Sequence, residues 1–149
     1  MKLAVLTPNV TALAQPSAND IADLAQRGYR SIIGNRPEGE SDDQPNWSEL
    51  EAAATRQGLE AKHIPVVMSQ ITDEQVAEFR EALETLPKPI AVFCRSGTRA
   101  ALLWALANQA NLTADERISI AAKEGYDLEP FRQRLSQEGS DSESDGKRM

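Results

Sequence analysis

The sequence predicts one α/β domain, a largely parallel central sheet flanked by helices. Three observations predict it. Short apolar runs bounded by Gly and Pro alternate with amphipathic stretches opened by capping boxes, the pattern of strands joined through helices. One run, Ile90–Phe93, is apolar at every position, as expected of a strand covered on both faces. The length of 149 residues is that of one ordinary domain and suffices to bury a core without disulfides or metal.

The elements follow in order. Residues 2–6 read as a strand closed by Thr7-Pro8-Asn9, and Gln15-Pro16 breaks the chain. Ser17 with Asp20 opens a helix that carries Ile21, Leu24 and Ala25 on one stripe and ends at Gly28. Residues 29–33 read as a buried strand. Residues 34–46 form a long polar loop with two Gly and two Pro, and long loops are often functional. A helix over 47–57 ends at Gly58, and 60–67 reads as a strand with Pro65 near its end. Thr72 with Gln75 opens a helix with Val76, Phe79, Leu83 and Leu86 at helical spacing, stopped by Pro87-Lys88-Pro89. After the loop 94–99 a helix runs to about Asn108, apolar on nearly every face and therefore central. Thr113 with Glu116 opens a further helix ending near Gly125, and a last helix spans about 128–135. Residues 136–149 have only the final Met as an apolar side chain and are expected to be a disordered acidic tail, leaving 1–135 as the domain.

Composition narrows the function. With 16 basic against 23 acidic residues the net charge is −7, which argues against binding nucleic acid or anionic lipid. One Cys and one His exclude an internal disulfide and the Cys-rich zinc sites. No metal or organic cofactor is implied. The longest apolar run, Ala100–Ala107, is too short to span a bilayer, and the first residues are shorter than the apolar region of a signal peptide. A cytoplasmic location is expected.

The chemistry points to Cys94-Arg95-Ser96-Gly97-Thr98-Arg99. Cys94 closes a buried strand, and a helix follows, so the thiol sits where open α/β sheets place their ligands. Loop N–H groups and the helix N-terminus converge in front of such a sulfur, binding oxyanions and favouring the reactive thiolate. Gly97 lets the backbone fold closely, Arg99 can grip anion oxygens with two prongs, and Arg95 adds positive charge. Cys94 and Arg99 are the candidate catalytic pair. Arg95, Ser96, Gly97, Thr98 and Arg36 are the candidate substrate-binding residues, Arg36 because it follows a strand end on the same edge.

This segment, with Asn35-Arg36-Pro37-Glu38-Gly39-Glu40, Gln44-Pro45, His63-Ile64-Pro65-Val66, Gln70-Ile71-Thr72 and Gly125-Tyr126-Asp127-Leu128, resembles the phosphatase-like domain of β-lactamase-hydrolase-like proteins. The resemblance covers about residues 2–135 and implies a fold similar to dual-specificity phosphatases. Relatives of this kind stand alone or are fused to metallo-β-lactamase-like or sulfide-oxidising partners, and carry both phosphatase-like and sulfurtransferase-like labels.

Two departures favour sulfur transfer. Cysteine phosphatases place His before the Cys and the Arg one residue later than here, whereas this chain has Phe93 before the Cys and a six-residue loop similar to that of rhodaneses. The stretch 65–71 lacks the Asp such phosphatases use to protonate the leaving oxygen, and Asp73 belongs to a capping box. The expected function is therefore sulfurtransferase through a Cys94 persulfide, with phosphatase through a Cys94 thiophosphate as the alternative. A non-catalytic sulfide or redox sensor is a third possibility. The expected partners are a small anionic substrate, an external thiol acceptor, and a metallo-β-lactamase-like or sulfide-oxidising protein.

His63 reads as a packing residue more than a catalytic one, for no orienting carboxylate lies nearby in sequence. Glu38, Glu40, Asp42 and Asp43 read as a solvated acidic loop, with one of them serving as an acid as the alternative. Trp104 reads as core and Trp47 as packing over the loop.

Overall fold

Ile90–Phe93 (β5) is the middle strand of the sheet, as its apolar run requires. The structure is a computed structural model that describes residues 1–137. Among the described residues the sheet has five strands in the order β1-β2-β5-β3-β4: Ala4–Thr7, Val10–Leu13, Ile90–Phe93, Ser31–Gly34 and Glu60–His63. Strand β5 pairs parallel with β2 and β3, β3 pairs parallel with β4, and β1 alone is antiparallel, on β2.

Alternate residues of β5 point to opposite faces and into separate cores. Ile90 and Val92 pack with the helices Asp73–Thr85 (α3), Thr98–Ala107 (α4) and Ala114–Lys123 (α5). Ala91 and Phe93 pack with Ala18–Gln26 (α1) and Trp47–Arg56 (α2). Helix α4 is buried from Arg99 to Ala107, as its uniform apolarity predicts. The three capping boxes form: Ser17 with Asp20, Thr72 with Gln75 and Thr113 with Glu116.

Four elements differ from expectation. Val10–Leu13, assigned to no element from the sequence, is a fully buried strand that turns back on β1 through Pro8-Asn9. Strand β3 starts at Ser31, two residues late, because Tyr29 leaves the sheet to pack against the α1–α2 core. Strand β4 ends at His63, short of the expected 67, although the Ile64 and Val66 amides still donate to the Gly34 and Asn35 carbonyls at 2.8 and 3.0 Å. Past Gly125, Pro130 sits in a 3₁₀ turn, Glu129–Phe131, before helical turns over 132–137. The expected acidic tail lies, from 138 onward, outside the described residues. No helix among the described residues is long and apolar enough to cross a membrane.

Candidate active site

Cys94 is the first residue after β5, and both flanking strands hold the turn it begins. The Asn35 amide donates to the Phe93 carbonyl at 2.8 Å, and the Gln15 amide donates to the Arg95 carbonyl at 3.2 Å. Gly97 then swings the chain into α4 with φ near +100°, a conformation that favours glycine. A β-carbon there would also lie 2.3 Å from the Tyr126 hydroxyl oxygen. The result is a tight turn in which the Gly97 N–H donates to Cys94 Sγ at 3.1 Å. Cys94 itself is 1% exposed. Arg95 and Ser96 are exposed, and Thr98 is half-buried at the start of α4.

Arg99, on the first turn of α4, is buried and held from two sides. Its Nη1 donates to the Val66 carbonyl at 2.8 Å and to Glu40 Oε2 at 2.7 Å, while Nη2 donates to Glu40 Oε1 at 3.1 Å. The same carboxylate accepts from Arg36 Nε at 3.0 Å. Arg36 is 5% exposed; its Nη1 donates to Gln15 Oε1 at 3.1 Å and its Nη2 to Ser41 Oγ at 3.0 Å. Arg36 thus meets the site one step removed, as an anchor for Glu40.

The electrostatics follow from this two-arginine clamp. The hydrogen bond from Arg99, and after it that from Arg36, holds the Glu40 carboxyl below its ordinary range despite partial desolvation. Glu40 in turn raises the Arg99 guanidinium above its ordinary value, against desolvation and with help from the Cys94 charge. At neutral pH Glu40 is a carboxylate that accepts, with no proton to give.

The four acids of the 34–46 loop are exposed, as expected, but Glu38, Glu40 and Asp43 also accept hydrogen bonds that shape it. Glu38 accepts from the Trp47 amide at 2.9 Å and caps α2, where Asn46 makes no side-chain cap. Asp43 accepts from Ser41 Oγ at 2.7 Å. His63 packs, as expected: its ring stacks on Trp47 with centroids 4.8 Å apart, and its Nε2 hydrogen bonds to the Arg36 carbonyl at 2.9 Å. Trp47 also faces Phe93, and the two rings leave no room for a β-carbon at Gly34. Phe93, where cysteine phosphatases carry His, is thus part of an aromatic wall rather than a polar support. Asp73 begins α3 and meets Arg134 Nη2 at 3.4 Å on the surface.

The turn brings Cys94, Gly97 and Arg99 together, with Ser96 and Thr98 at its rim. Three contributors were not foreseen. Glu40 is 59 positions from Arg99 and no local spacing joins them. Gln15 follows the strand that was missed. Tyr126 was visible only as part of the Gly125–Leu128 resemblance.

Comparison with known proteins agrees with this geometry. Residues 2–111 match the family "Beta-lactamase hydrolase-like protein, phosphatase-like domain". A β-lactamase hydrolase-like protein of Xylella fastidiosa (strain Temecula1) is 35% identical over 130 residues, covering 86% of this chain and 30% of that protein. One from Agrobacterium fabrum is 32% identical over 106 residues, covering 71% of this chain and 25% of its own length. The chain thus spans less than a third of the curated relatives it matches. Among solved structures, a candidate phosphatase of Neisseria meningitidis superposes with a TM-score of 0.83 at 31% identity, over 93% of this chain and 99% of that one. The phosphatase PTPMT1 shares the fold alone, with a TM-score of 0.74 at 17% identity over 99% of both chains. A cysteine turn held between two parallel strands, an arginine locked beside it, and these matches together place the chain in the family of phosphatase-like domains of β-lactamase hydrolase-like proteins.

Proposed function

We propose that this domain is a cysteine-based phosphatase acting on small phosphomonoesters, with Cys94 as the nucleophile. One observation carries the reading: Cys94 Sγ accepts from the Gly97 N–H at the mouth of α4, beside an Arg99 that Glu40 and Val66 fix in place. The sulfur attacks phosphorus, an S–P bond forms, and the ester P–O bond breaks with the electron pair leaving on oxygen. Loop amides and Arg99 take the charge on the remaining phosphoryl oxygens. Water then attacks phosphorus, the S–P bond breaks, and the thiolate returns with release of orthophosphate.

Family membership and the phosphatase neighbours support this reading over the persulfide transfer expected from the loop length. Sulfur transfer remains a second reading on one observation. Glu40, the carboxylate at the site, is ionised and bound to two arginines, so it cannot protonate a leaving oxygen. Loss of a general acid costs about 10² to 10⁴ in rate for esters with poor leaving groups. Expulsion of sulfite from thiosulfate needs no such proton. In that case Cys94 takes the outer sulfur as the S–S bond breaks, then passes it to an external thiol, because the chain has one Cys.

The two readings separate in parallel assays of the full chain, aryl phosphate hydrolysis against labelled-sulfur transfer from thiosulfate to a thiol. Hydrolysis abolished by Cys94→Ser, with no sulfur transfer, is the expected result. Sulfur transfer without hydrolysis would replace the first reading by the second.

A further inference from the structure

We propose that the Tyr126 hydroxyl hydrogen bonds to the substrate's leaving oxygen and passes it a proton, in the role a carboxylic acid holds in other cysteine phosphatases. This rests on the phosphatase reading above. Tyr126 follows α5, and its amide donates back to the Ala121 carbonyl at 2.9 Å, which fixes the residue's backbone. The ring is buried against the cysteine turn, 8% exposed, with the hydroxyl at the position that a Gly97 side chain would need. The Gly97 N–H is the donor to Cys94 Sγ, so the phenol stands against the thiol's own partner. Among the described residues this hydroxyl has no hydrogen-bond partner. It opens instead on a groove of about 350 Å³ whose walls include Ser96 and Thr98 from the turn, Gln15, and Lys2.

An in-line displacement expels the leaving group away from the sulfur, out of the mouth of the turn. Ser96 and Thr98 of the turn wall the groove, and the Tyr126 hydroxyl stands on that same wall, against Gly97. Desolvation, and then the Cys94 charge, raise the phenol above its ordinary value, so it stays protonated at neutral pH. The proton balance closes. Tyr126 gives its proton as the P–O bond breaks, and the water that attacks the thiophosphate returns one to the phenolate.

The test is a leaving-group series on the full chain, from p-nitrophenyl phosphate through phenyl phosphate to glycerol phosphate. Tyr126→Phe keeps the ring against Gly97 and removes only the hydroxyl. The expected result is a fall of about 10²-fold in kcat/KM for phenyl phosphate and a change of only about two- to three-fold for p-nitrophenyl phosphate, with the inhibition constant of orthophosphate unmoved. An equal fall for every ester would assign Tyr126 a packing role, and no change for any ester would remove it from the reaction; either overturns the proposal while leaving the phosphatase reading intact. Wild-type protein that hydrolyses none of the esters overturns both.

Discussion

Glu40 and Arg99, 59 positions apart, form a two-pronged ion pair with contacts of 2.7 and 3.1 Å. The pair presents the guanidinium to the cysteine turn in one orientation, because its two Nη atoms are committed to the carboxylate. Glu40→Gln keeps the shape and removes the charge. Expected is a fall of about ten-fold in kcat/KM for p-nitrophenyl phosphate, about 1.4 kcal/mol, since Arg99 loses its anchor. A rise would mean that Glu40 competes with substrate for Arg99.

Arg36 is expected to act through Glu40, which its Nε holds at 3.0 Å. Its guanidinium donates to Glu40, Gln15 and Ser41. Arg36→Met is expected to lower kcat/KM less than Glu40→Gln. The double variant should lose little beyond Glu40→Gln alone, because residues in one network are not additive. Additive losses in this double-mutant cycle would give Arg36 an independent role.

The clamp also sets a pH limit. Folding lowers the Glu40 carboxyl below its ordinary 4.5, mainly through the Arg99 hydrogen bond. The folded chain therefore binds fewer protons here than the unfolded chain. The stabilisation is complete above the ordinary value and is lost as pH falls through the depressed one. Acid unfolding followed by circular dichroism should show a shallower acid limb in Glu40→Gln than in wild type, with no difference in slope over roughly pH 6 to 8. Superimposable acid limbs would contradict this.

Gly97 and Gly28 make a matched pair. Both have φ near +100°, at 100° and 98°, yet a β-carbon at Gly28 meets nothing within 4 Å while one at Gly97 strikes Tyr126. Gly28→Ala should cost about 1 kcal/mol and leave activity unchanged. Gly97→Ala should pay the same backbone cost, displace Tyr126 and break the N–H contact to Cys94, lowering kcat/KM by more than about 100-fold. Equal effects of the two changes in urea melts and kinetics would show that the Tyr126 contact is unimportant.

Arg117 is a structural counterpart to Arg99. It is 1% exposed, and it donates to the carbonyls of Thr113, Ala105 and Leu135, tying α5 to α4 and to the last described turns. Arg117→Met should lower stability by about 3 kcal/mol, as buried carbonyls lose their donors. Activity at a temperature where the variant is folded should be retained. Loss of activity with unchanged Tm would contradict this assignment.

How much of this was legible in the sequence depends on distance along the chain. Capping boxes, the apolar β5 and the fully buried α4 are local patterns, and each appears where its residues indicate. The cysteine turn was legible for the same reason, since strand, Gly97 and Arg99 fall within one short stretch. Val10–Leu13 was not, because four apolar-to-small residues after a turn carry no period that separates strand from loop. Glu40 read only as a solvated acid because its partner Arg99 lies on another element, and Arg36 read as a substrate-binding residue because its own contact to Glu40 belongs to the same hidden network. Tyr126 has no local signal for its role, since it is Gly97 folding back that gives its hydroxyl a neighbour.

The central claim, that Cys94 carries the transferred group, is tested most directly by mass spectrometry of the protein quenched during turnover of p-nitrophenyl phosphate. A phosphoryl adduct confined to the peptide bearing Cys94, absent from Cys94→Ser and accumulating in wild type at low pH, is the predicted result. Turnover with the phosphoryl group on another residue, or turnover that survives Cys94→Ser, would contradict it.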